Sequence, residues 1–171
     1  HVTTYDGLPT GKKLDMLTAQ QYLPRGLHRF VNQMKQLYTQ EMIFTKCKPM
    51  FHHEFALSRL KSDGYRLAVA SNSIRATVDM MMTKAHLGEY LEFSLSNQDV
   101  SNPKPDPEIY NNAIERMGLQ PKDCLIVEDN EHGIRAARAS GANVMQVHHV
   151  TDTTYPNILQ RIGQIEGRES Q

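Results

Sequence analysis

The chain has 171 residues, 39% hydrophobic and 22% charged, and its 19 Lys and Arg balance 19 Asp and Glu to a formal net charge of zero. That length suits one domain with a real core, and the charge balance argues against nucleic acid, which needs a basic excess or stripe. The longest apolar runs, 67–70 and 124–127, have four residues against the roughly 20 that span a bilayer, so neither a membrane span nor a signal peptide is expected.

In chain order, residues 12–43 read as helix. Leu14 and Leu17, then Leu27, Phe30, Met34, Leu37 and Met42, recur at near-helical spacing, and Pro24 and Gly26 divide two helices. From His52 onward helices alternate with short apolar strands. A helix over 52–63 carries Phe55, Ala56 and Leu60 on one face and stops at Gly64, a residue that tolerates the left-handed turn of a helix end. Strand 66–70 follows, then Ser71-Asn72-Ser73 and a helix bearing Ile74, Val78, Met81 and Ala85 up to Gly88.

A strand near 93–95 leads to the Pro-rich loop 102–107, where Asp106 and Pro107 read as N-cap and first residue of a helix carrying Ile109, Ala113 and Met117 and closed by Gly118. Strand 124–127 runs into Glu128-Asp129-Asn130, a helix holds Ile134 and Ala137 up to Gly141, and strand 143–147 completes the alternation. After Thr151 a polar surface helix with a frayed tail is expected. Continuous apolar strands alternating with helices predict an α/β fold, a three-layer Rossmann-like parallel sheet with helices on both faces.

Such sheets bind ligands at the carboxyl ends of their strands, so polar residues just after strands should converge there. Three sets qualify: Ser71 and Asn72, Lys104, and Glu128 with Asp129. Taken singly, a Ser-Asn after a strand reads as a helix cap, and Lys104 as a solvated lysine. Adjacent carboxylates off an apolar strand are a stronger signal, because they repel unless a cation or base lies between them. Together the three make a phosphate site: a hydroxyl and an amide to donate to phosphoryl oxygens, a lysine to offset their charge, and hard oxygens for Mg2+. The set contains no obvious nucleophile. The Met80-Met81-Met82 cluster reads as core filler, His148 and His149 as surface residues, and Cys124 as an inert start to a strand. Cys47 and Cys124 stand outside any C-x-x-C, which suits a reducing, cytoplasmic compartment.

The order Leu67-Ala68-Val69-Ala70-Ser71-Asn72-Ser73, Asn102-Pro103-Lys104-Pro105-Asp106-Pro107-Glu108-Ile109-Tyr110, then Leu125-Ile126-Val127-Glu128-Asp129-Asn130-Glu131-His132-Gly133 resembles the second to fourth motifs of the haloacid-dehalogenase superfamily, in the branch of β-phosphoglucomutase and phosphoglycolate phosphatase. The resemblance implies that Ser71 and Lys104 hold a phosphoryl group, that Asn72 adds a contact, and that Glu128 and Asp129 bind Mg2+. It also implies that residues 1–48 are part of a helical cap over a core of 49–171, with Gly7, Leu8, Thr10, Lys12 and Lys13 in the cap's substrate-specificity loop. The family's D-x-D nucleophile motif is missing from these 171 residues, and it is expected on a strand upstream. The implied activity is Mg2+-dependent hydrolysis of a small phosphomonoester through an aspartyl-phosphate. Sugar-phosphate mutase activity and a non-catalytic phosphate- or partner-binding module are the alternatives. A phospho-accepting receiver domain is disfavoured, because its acidic pair comes first and its lysine last.

Overall fold

A computed structural model describes residues 8–167. Helices α1 (Thr10–Gln21) and α2 (His28–Lys46) open it, and the break falls where the sequence predicts. Tyr22 turns left-handed at φ 56°, and Pro24 leads into a 3-10 turn over Arg25–Leu27. The segment expected as a loop up to Lys13 is helical from Thr10, since Lys, Leu, Met, Ala and Gln are strong helix formers and Gly11 falls in the first turn. Leu14 and Ile43 are buried, whereas Phe30, Leu37, Tyr38, Met42 and Phe44 stay exposed.

Helix α3 (Phe51–Ser62) follows a short link, and Gly64 closes it at φ 90°. Strand β1 (Ala68–Ala70) is shorter than the predicted 66–70. Arg66 leaves the ladder and puts its guanidinium on the Glu92 carboxylate at 2.7 and 2.6 Å. Helix α4 (Arg75–Lys84) ends earlier than predicted: His86 takes the left-handed turn at φ 55°, and Gly88 begins a 3-10 turn over Gly88–Tyr90. Strand β2 (Phe93–Leu95) precedes helix α5 (Glu108–Met117), which Gly118 closes at φ 64°. The helix begins one residue later than expected, with Pro107 at the N-cap position and Asp106 before it, accepting from the Glu108 backbone N–H at 3.0 Å.

Strand β3 (Leu125–Glu128) leads to helix α6 (Glu131–Ala139), where the Asn130 side chain accepts from the His132 N–H at 2.9 Å. Strand β4 (Asn143–Gln146) and helix α7 (Tyr155–Ile165) complete the order. The last helix is more than a polar surface element. It buries Ile158 and packs on α3, with the Tyr155 ring against Phe55 at 6.0 Å between centroids and its hydroxyl on Asp63 at 2.5 Å. No described helix is long and apolar enough to cross a membrane.

The strands pair in parallel, β1 with β2 and β3 with β4, so the described residues form two ladders where one sheet is predicted. The hydrogen bonds show which edge of each ladder is open. Leu67 O accepts from Glu92 N at 2.8 Å and Ser71 N donates to Leu95 O at 2.9 Å. Backbone groups alternate sides along a strand, so Ala68 and Ala70 turn theirs away from β2. Likewise Cys124 O accepts from Asn143 N at 3.0 Å and Glu128 O from Val147 N at 2.9 Å, turning Leu125 and Val127 away from β4.

Between the two turned edges lies a cavity of about 1650 Å³, lined by residues 64–73 on one side and 122–130 on the other. That slot is why β1 and β3 are only half-buried. The packed core lies beside it, where Ile109 and Tyr110 of α5 meet Leu95 of β2 and Ala136 and Ala137 of α6.

Candidate functional site

Ser71 and Asn72 follow β1, Glu128 ends β3 with Asp129 next, and the loop before α5 brings in Lys104; all five line one cavity. Every polar set that the sequence places after a strand thus shares one cavity. Asn72 anchors the loop: its Nδ2 donates to Lys104 O at 3.2 Å, and its Oδ1 accepts from Lys104 N at 3.0 Å. Further along, the Glu108 carboxylate accepts from the backbone N–H groups of Ser101 and Asn102 at 2.7 and 2.8 Å. Those two bonds hold the Glu108 carboxyl below its usual range.

Lys104 is 6% exposed, and a buried ammonium must spend its three protons on partners. It donates to Ala70 O at 3.1 Å, to the Tyr110 hydroxyl at 2.6 Å, and to Oε1 of Glu128. The Tyr110 hydroxyl donates to that same Oε1. Burial, and then the charge of Glu128, push the Tyr110 phenol far up, so it stays a proton donor. Glu128 also presses on α6: a Cβ built on Gly133 would fall inside its carboxyl group. Only glycine leaves that room. Asp129, by contrast, is exposed. Ser71 Oγ accepts from Ser73 N at 3.1 Å, which leaves its own proton for an incoming oxygen.

Tyr110 and Gly133 end two of the motif segments that the sequence offers, yet the sequence reading gives neither a role. Tyr110 lies on the apolar face of a helix, and Gly133 sits inside another, so both look structural. The signal that could have found them is their offset, six residues after Lys104 and five after Glu128.

Other expected residues lie elsewhere. Leu8, Thr10, Lys12 and Lys13 are not among those lining the cavity, and Gly7 lies outside the described residues. Lys13 instead neighbours Lys35 of α2, whose ammonium is held down by burial and by the charge of Lys13. His148 and His149 are exposed at the rim, and their backbone N–H groups donate to Asp152 at 2.8 and 2.9 Å. A second acidic anchor is structural: Asp99 accepts from the Ser96 N–H and hydroxyl, both at 2.6 Å, and pairs with Arg75. The Ser96 hydroxyl leads in holding its carboxyl down to about 2.

Among the described residues no group of three or more His, Cys, Asp and Glu gathers to hold a metal. Glu128 and Asp129 are two adjacent hard-oxygen donors, and Mg2+ is commonly held by one or two carboxylates, its other positions filled by water and phosphate. The pair therefore fits Mg2+.

The family model described as haloacid dehalogenase-like hydrolase matches residues 2–147. Pyrophosphatase PpaX of Bacillus velezensis is 33% identical over 91 residues, covering 53% of this chain and 42% of that protein. Phosphoglycolate phosphatase of Nitrosospira multiformis is 26% identical over 158 residues, covering 79% of this chain and 68% of the relative. The crystal structure of β-phosphoglucomutase from Clostridium difficile superposes with a TM-score of 0.79 at 16% identity, covering 97% of this chain and 82% of that one. The chain thus spans about two-fifths of the length of the first relative.

Proposed function

This chain belongs to the haloacid dehalogenase-like hydrolase family, and from that premise we propose that it supplies the phosphoryl-holding and cation-holding groups of a Mg2+-dependent phosphomonoesterase. The substrate is a small phosphorylated metabolite, and the reaction runs through an aspartyl-phosphate. One observation carries this reading: Ser71, Lys104, Glu128 and Asp129 converge at one end of a slot bordered by two parallel strand edges. A strand laid in the slot would pair with Ala68 and Ala70 on one side and with Leu125 and Val127 on the other. Its carboxyl end would emerge between Ser71 and Glu128, where a nucleophile is needed.

The chemistry then balances. A carboxylate oxygen on that strand attacks phosphorus, the ester P–O bond breaks, and a neighbouring carboxylic acid protonates the leaving oxygen. Water attacks the acyl phosphate next, giving its proton to that second carboxylate and releasing phosphate. The Ser71 hydroxyl and the Lys104 ammonium hold the phosphoryl oxygens throughout, and a phosphoryl oxygen takes the place of Ala70 O on Lys104. Bound Mg2+ would offset the charge on those oxygens, with Glu128 and Asp129 as its ligands. Helices α1 and α2 serve as part of a cap over the site, in residues 1–48 against a core of 49–171. The protein works in the cytoplasm, in keeping with two free cysteines, Cys47 and Cys124.

The test is phosphate release by the full-length protein from a panel of phosphomonoesters, with and without Mg2+. Hydrolysis that requires Mg2+, disappears in Asp129→Ala and falls on the order of a hundredfold or more in Lys104→Met supports the reading. Undiminished turnover in Asp129→Ala overturns the cation assignment. Interconversion of sugar phosphates without release of phosphate replaces hydrolase by mutase.

A further inference from the structure

We propose that Tyr110 is a positioning residue of this site, holding the Glu128 carboxylate in one rotation so that Oε1 is committed to the protein and Oε2 is left for a cation. The inference rests on the reading of Glu128 as a cation ligand. The Tyr110 ring has a structural task that phenylalanine could perform, packing 5% exposed among Leu95, Ile109, Ala136 and Ala137. Its hydroxyl is the addition, and a hydroxyl in such a place costs stability unless it is bonded. Here it is bonded in both directions: it accepts from Lys104 Nζ at 2.6 Å and donates to Oε1 of Glu128.

Three constraints then meet on one carboxylate. Lys104 and Tyr110 both donate to Oε1, and the face of the carboxylate abuts Gly133, where any side chain would displace the group. Lys104 is itself confined, with Nζ 4.5 Å from the Tyr110 ring centroid and its backbone clamped by Asn72. An ionised carboxylate has about four acceptor positions on two oxygens. Gathering both protein donors on one oxygen divides the group into a structural half and a ligating half. Lys104 alone would leave the carboxylate free to turn about its ammonium; the phenol supplies the second point that stops it.

The test is Mg2+ binding, by titration calorimetry with MgCl2 alone, to wild-type chain and to Tyr110→Phe, alongside the thermal midpoint of each without Mg2+. Removing the hydroxyl is expected to weaken Mg2+ binding about tenfold, the usual cost of losing a partner that orients a ligand, and to lower the metal-free midpoint, because one buried Lys104 proton loses its acceptor. Gly133→Ala is expected to weaken binding by pushing on the face of the same carboxylate. A second readout needs no variant: in wild-type chain carrying [13Cζ]tyrosine, Mg2+ should shift the Tyr110 resonance. Equal affinity in wild type and Tyr110→Phe, or an unmoved Tyr110 resonance on saturation, overturns the positioning role alone. Absence of Mg2+ binding by the wild type overturns the cation reading of Glu128 and this role with it.

Discussion

The two parts of the chain use apolar residues in opposite ways. From α3 onward most find partners: Ile109 and Ala136 are fully buried and Ile134 is 2% exposed, with Phe51 at the start of α3 an exception at 81%. In α1 and α2 the apolar positions repeat just as regularly, yet in α2 Phe30 is 59% exposed and Phe44 70%. Periodicity therefore shows that a helix has an apolar side; what covers that side is a separate matter of which surfaces are at hand. The two parts meet where α2 packs on α4, with Ile43 buried and Lys84 sitting 4.0 Å from the centroid of the Phe44 ring.

The sharpest way to break this contrast is at the buried ion pair. Lys104→Met leaves Glu128, with a side chain 11% exposed, without its cation, and is expected to cost about 4 kcal/mol in chemical denaturation. Adding Glu128→Leu should recover most of that loss, because a buried pair exchanged for apolar groups is often neutral; no recovery would show that the pair does more than cancel its own burial.

Truncation compares the two parts directly. Ile109→Ala should cost about 3 kcal/mol, and Phe30→Ala, at an exposed position of α2, less than about 0.5 kcal/mol. Equal losses at both positions would mean that the α2 face is covered in solution.

The smallest effect depends on pH. Asp99 titrates at about 2 in the folded chain against roughly 3.9 for a free side chain. A depressed carboxyl stabilises the fold in full above the unfolded value, and that contribution is lost as pH falls toward the folded one. The gap in thermal midpoint between wild type and Asp99→Asn should thus be widest near pH 6 and narrow between about pH 5 and pH 3. A gap constant over that range would assign the effect to shape and not to charge.

How far the sequence carried depended on where the controlling contacts lie. Gly64 and Gly118 end helices as predicted because a left-handed turn is a local demand. Gly88 does not, because His86 takes that turn two residues earlier. The apolar runs at β1 and β3 are legible as strands, but neighbours across a sheet are set over long chain separations, and one predicted sheet proved to be two ladders. In the site, Ser71, Lys104, Glu128 and Asp129 announce themselves as polar residues following strands. Tyr110 and Gly133 lie at the ends of recognisable motif segments, but their roles are not legible there, since they arise only when three elements bring one carboxylate between them.

The slot also bears on how the chain behaves at high concentration. Unpaired strand edges are templates on which other chains can pair and aggregate, and here two of them face each other across an apolar cavity. Both are brief, three residues in β1 and four in β3, and Lys104 already occupies the Ala70 carbonyl at the end of one. Edges this short, facing inward, offer an intruding strand too few ladder bonds to start a stack. Their brevity favours solubility while leaving room for one well-matched segment.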